Sequence, residues 1–196
     1  MTVEPALSVG GFREWFPLAL DTDPDEYADM VVEHFADDPT PPETLRMVAA
    51  GLTGLTEQLT EALGDTTLLL GAWVLLPPGG RTLDIRTVAR LEAVRVRPGT
   101  TPAEMVADLV SESQLHQPPN VEQIETASGV ATLLRNRTYS TTDHGTELQE
   151  VVCIFWLPAD ENYAIALTSI PMTDLVMAAD VSDAMIELAR SVKGAR

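Results

Sequence analysis

The sequence predicts a single α+β domain of residues 1–196, built as a twisted, mainly antiparallel sheet of about six to seven strands flanked by helices. Three observations predict it. Apolar stretches of strand length follow one another across short turns, and short connections force antiparallel pairing. Helix-start signals recur at Asp23-Pro24-Asp25-Glu26, Thr40-Pro41-Pro42-Glu43 and Thr101-Pro102-Ala103-Glu104. Each sets a capping residue before a first-turn proline and an acid. Residues 68–76 and 151–157 are apolar on both strand faces, which asks for helices on both sides of part of the sheet.

The elements follow in order. Residues 12–20 (FREWFPLAL) read as a strand interrupted by Pro17, a position suited to an edge or a bulge. The helix opening at Asp23 carries Tyr27, Met30, Val31, His34 and Phe35 on its apolar face. The second helix carries Leu45, Val48, Leu52, Leu55, Leu59 and Leu63 in one stripe and stops at Gly64. Gly51 and Gly54 weaken it unless something packs closely there. Residues 67–76 run into the turn Pro77-Pro78-Gly79-Gly80, and residues 82–97 return as the other arm of a long hairpin. Leu83 and Ile85 share a face that Val88 leaves, so a bulge is expected between Ile85 and Val88. The third helix is expected to bury Met105, Val106, Leu109 and Val110 and to end before Pro118-Pro119. Strands at 121–126, 130–139, 147–157 and 163–170 follow. A last helix over 173–193 has Met177, Val181, Ala184, Met185, Leu188 and Val192 in its stripe.

Charge narrows the partners. With 30 acids against 12 bases the chain carries −18, a field opposed to unaided binding of nucleic acid or an anionic bilayer. The single cysteine, Cys153, excludes an internal disulfide framework and reads as an inert core thiol among Val151, Val152, Ile154 and Phe155. No signal peptide is legible, and the longest uncharged stretch, 66–80, is too short and broken to span a bilayer. The expectation is a cytoplasmic protein without membrane insertion.

The ending, VVCIFWLPADENYAIALTSIP followed by TDLVMAADVSDAMIELARSV, resembles the PsbP/MOG-like group of α+β proteins, which includes secreted actinobacterial lipoproteins. The hairpin at 67–97 followed by the helix at Pro102 is similar in layout. The resemblance spans residues 12–192 as an order of elements, not as a motif. It implies a binding or assembly factor without catalytic residues, accessory to a secretion or envelope system. No family residue carries over. The chain also inserts a helix at 41–63 and lacks the lipobox of the secreted relatives.

Several residue groups admit chemistry. Asp21-Thr22-Asp23 after the first strand resembles the nucleophile motif of haloacid-dehalogenase-type phosphatases, which work with Mg²⁺. Asp25 stands where that motif needs Thr or Val, and Lys193 is the only lysine. The same acids mimic the start of a calcium loop, with Glu26 and Val32 in place of its Gly and Glu. Capping of the helix is the plain alternative. Asp21, Asp23, Asp25, Glu26, Asp29, Glu33, Asp37 and Asp38 form a run without a base. It is either a solvated face or a docking surface for a basic partner, with Asp21, Asp25, Asp29 and Glu33 as its residues. Arg81, Arg86, Arg90, Arg95 and Arg97 lie in one hairpin arm, and Arg135 and Arg137 share a face of a later strand. If those strands are neighbours, Arg86, Arg90, Arg135 and Arg137 form an anion-binding or partner-binding cluster. Otherwise they pair with Asp84, Glu92, Glu122 or Glu125.

His34, His116 and His144 lack ligand spacing, and Asp143, His144 and Glu147 merely flank a turn. No cofactor or metal is implied. A small apolar ligand lined by Trp73, Trp156 and Met185 is one alternative. A metal-dependent hydrolase at Asp21 is another. The leucine stripe of the second helix sets a homodimer or partner surface against plain core packing. The leading expectation is a non-catalytic binding or assembly factor acting through protein–protein contacts.

Overall fold

A computed structural model describes residues 7–9, 14–110, 114–142, 145–158 and 161–195. The chain runs β1 (Trp15–Pro17), α1 (Pro24–His34), α2 (Pro42–Glu61), β2 (Thr67–Leu75), β3 (Thr87–Arg95), α3 (Pro102–Leu109), β4 (Asn120–Thr126), β5 (Gly129–Thr142), β6 (Gly145–Trp156), β7 (Tyr163–Ser169) and α4 (Leu175–Ser191). The expected α+β order holds throughout. The seven strands form one antiparallel sheet in the order β1-β2-β3-β7-β6-β5-β4.

Strand alternation sends side chains to two cores. On one face Ala89, Leu91, Leu133, Val152, Ile154, Ile165 and Leu167 pack beneath Val181, Met185 and Leu188 of α4. On the other face Phe16, Ala72, Val74 and Val88 lie beneath Tyr27, Val31, Leu45 and Leu52 of α1 and α2. Further along that second face, Met105 of α3 covers Leu134, Phe155, Ala164 and Ala166. Helices therefore cover both faces, as the doubly apolar strands require.

The starts of the helices differ although their sequences look alike. Asp23 caps α1 by accepting the N–H groups of Asp25 and Glu26. Thr101 and Glu104 form a complete capping box on α3. Thr40 does not cap α2, whose N-cap is Pro41. Its hydroxyl and N–H donate to Asp38 instead.

Other expectations need correction. Residues 12–13 of the expected first strand lie outside the described residues; among those described the strand covers Trp15–Pro17, although the Leu18 N–H still donates to Ala72 O at 2.9 Å. Pro17 sits, as expected, on the outermost strand. Residues 82–86 lie outside β3, and the register shift falls in β2, between Leu69 and Gly71. The Trp73 indole lies over Gly71, where any Cβ would collide with the ring. Met30 is 38 % exposed and Leu109 42 %, so neither joins the core face assigned to it. In α2, Leu45, Ala49, Leu52, Thr56 and Leu59 are buried, with Val48 and Leu55 packed beside them, so the stripe serves the chain's own core. Gly51 and Gly54 meet nothing within 4 Å of a Cβ position, so no close backbone approach explains them.

Candidate functional site

The acids around α1 do not converge. Asp23 is spent on the cap. Asp29 pairs with Arg46 at 2.7 Å and Asp37 with Arg81, all well exposed. Asp38 accepts from the Thr40 hydroxyl, the Thr40 N–H and the Leu83 N–H, and these bonds hold its carboxyl below the ordinary range. Asp21, Asp25, Glu26 and Glu33 face solvent and form no ion pair among the described residues. No three His, Cys, Asp or Glu side chains among the described residues are grouped to hold a metal ion. Asp143 and His144 lie outside the described residues.

The arginines separate. β7 and β6 stand between β3 and β5. Arg90 shares the face of Val88, beneath the helix pair, whereas Arg135 and Arg137 share the face of Leu133, on the α4 side. The conditional cluster of Arg86, Arg90, Arg135 and Arg137 therefore does not form. Arg86 is half-buried outside the strand. The other three pair with acids, namely Arg90 with Glu92 at 2.8 Å, Arg135 with Glu122 at 2.7 Å and Arg137 with Glu150 at 2.5 Å.

Two of these pairs involve buried carboxylates that sequence reading did not single out as sites. Glu92 is 5 % exposed and Glu150 4 %. Burial pushes the Glu92 carboxyl above its ordinary pKa, and the Arg90 guanidinium only partly offsets this. The pair touches without hydrogen-bond alignment, because Arg90 Nε and Glu92 Oε1 both lack a hydrogen-bond partner. Cys153 lies close enough to feel both charges, and its thiol is pushed to about 11, mainly by burial. Trp156 and Met185 belong to the buried α4 core, and Trp73, on β2 with β3 and β7 between it and β6, packs partly buried against that core, so the structure does not bring the three together around one ligand cavity.

The α4 face is not covered to its end. β5 and β6 stay paired as far as Thr142 and Gly145, well beyond the last β6–β7 pair at Cys153 and Thr168. The base of this ribbon is flanked by backbone pairing of Leu115 with Thr138 and of Glu150 with Met172. Beside it a polar cavity of about 160 Å³ is lined by Gln117, Asn120, Arg135, Arg137 and Glu150. His116 Nδ1 and the Tyr139 hydroxyl lie 2.6 Å apart on the same stretch. Among the described residues β4, the strand that supplies Asn120, ends the sheet and pairs with β5 only.

No helix among the described residues is long and apolar enough to cross a membrane. No family model, no curated protein and no solved structure matches the chain.

Proposed function

We propose that this chain is a non-catalytic binding protein that works through protein–protein contacts, receiving an extended, basic segment of its partner along the outer edge of β4. One observation carries this reading. Among the described residues β4 has a neighbour on one side only, and Asn120, Val121, Glu122, Gln123 and Glu125 are exposed along it. An open edge offers a row of backbone donors and acceptors to an incoming strand. Charge selects the occupant. Glu122 and Glu125 stand on the edge of a chain carrying −18, so two copies meeting edge to edge bring like charges together, whereas a basic segment is attracted. The layout that resembles the PsbP/MOG-like group, with its binding and assembly factors, supports the same class of function.

The test is hydrogen exchange on the full chain with the partner retained from its native cell. Protection is expected along β4, and Glu125→Lys is expected to weaken retention. Protection confined to α1, α2 or α4, or full retention by the variant, would overturn the reading. A dimer protected along β4 would replace the basic segment with a second copy.

A further inference from the structure

Beyond partner docking, the polar cavity next to β4 has the makings of a small-molecule site. Arg135 and Arg137 stand two residues apart on one face of β5, and Asn120 lies directly across from Arg135. These donors already hold a carboxylate. Glu122 Oε1 accepts from Asn120 Nδ2 at 2.8 Å and from Arg135 Nη2 at 2.7 Å. The Glu122 carboxyl is held below its ordinary range, first by the Asn120 bond and then by Arg135.

The two acids of the cluster are not equivalent. The Glu150 side chain is 5 % exposed and accepts from Arg137 Nε. Its backbone is tied in both directions to Met172, so it is a fixed part of the wall. The Glu122 side chain is 49 % exposed, on a strand with one open side. An exposed ion pair of this kind is weak and exchangeable. Arg135 also lines the cavity with a buried Nε that has no hydrogen-bond partner among the described residues. The 160 Å³ space beside these donors suits a molecule of a few heavy atoms.

We propose that this cavity binds a small free carboxylate, with Glu122 as an internal ligand that the incoming carboxylate displaces from Asn120 and Arg135. Glu150 stays in place and holds the Arg137 guanidinium at the cavity wall. Planar carboxylates suit guanidinium forks, which offer parallel N–H donors.

The experiment titrates acetate and succinate, at constant ionic strength, into the full ¹⁵N-labelled chain. It follows the Arg135 Nε–H and the side-chain amides of Asn120 and Gln117. Those resonances are expected to shift together and to saturate. Glu122→Gln removes the competing carboxylate and is expected to tighten binding up to about fivefold. Arg135→Gln is expected to weaken it about tenfold or more. Arg135→Lys keeps the charge without the fork and is expected to weaken it as well. It serves as the second variant if Arg135→Gln does not fold. Unmoved resonances in both the parent and Glu122→Gln would reduce the cluster to structural ion pairs and overturn the proposal. Inorganic phosphate binding as tightly as succinate would overturn the carboxylate assignment.

Discussion

Glu92 shows how one side chain concentrates opposing effects. Its carboxyl is buried, and Arg90 lies beside it without a well-aligned hydrogen bond. A carboxyl whose folded pKa is raised binds its proton more readily in the folded state than in the unfolded chain. Stability therefore rises as pH falls through the raised value, and the cost of the buried charge is present above it. Glu92→Gln is expected to equal or exceed the parent at neutral pH, by up to about 1 kcal/mol in urea unfolding. A clear loss would mean that the pair is net stabilising. Arg90→Met leaves the carboxylate alone and is expected to destabilise by about 3 kcal/mol. Cys153 is the companion case. Its thiol is raised to about 11 under full burial, so the thiolate is scarce at neutral pH. A disulfide reagent is expected to label it only after unfolding. Fast labelling of the native chain would contradict this placement. The Arg90–Glu92 contact was within reach of the sequence, since residues two apart on a strand share a face. Burial of that face depends on α1, α2 and α3 lying over it, which strand spacing does not reveal.

Among the elements, α3 hangs on its start. Only Met105 of its eight residues is buried, so little packing anchors it. The capping box of Thr101 and Glu104 satisfies backbone groups that the short helix leaves open, and the same bonds hold the Glu104 carboxyl low. Thr101→Ala is expected to cost about 1 kcal/mol and to speed amide exchange across α3, with α4 unchanged. Uniform acceleration would show that α3 does not open separately. The α3 cap was legible, because it needs only residues three apart in sequence. The absence of a Thr40 cap was not, because Asp38 takes up that hydroxyl while also reaching Leu83 across the fold. The missing bulge at 85–88 has a related cause. β3 begins only at Thr87, so Ile85 lies outside the strand and there is no paired stretch before Val88 to bulge; the register shift falls instead between Leu69 and Gly71, beside the Trp73 ring.

At the scale of the whole molecule, charge and hydrogen bonding set the response to solution conditions. Asp38, Glu104 and Glu122 all have lowered carboxyl pKa values. What they contribute is present above the unfolded carboxylate range and lost as pH falls through their folded values. Glu92 works in the opposite direction, so acid titration of the Glu92→Gln variant is expected to give the steeper loss. At neutral pH the −18 charge opposes compaction through self-repulsion. Added salt is expected to raise the thermal midpoint by screening it, and a midpoint that falls with salt would show that exposed ion pairs outweigh the repulsion. By itself, the sequence determined the order of elements, their antiparallel pairing and most core stripes, because turns, caps and periodicity are short-range properties of the chain. Only tertiary structure decided that Arg90 and Arg135 lie on opposite faces, that Glu92 and Glu150 are buried, and that Asn120, Arg135 and Arg137 share one cavity. Those outcomes depend on which strands become neighbours and which helix crosses which face, and no local spacing encodes either.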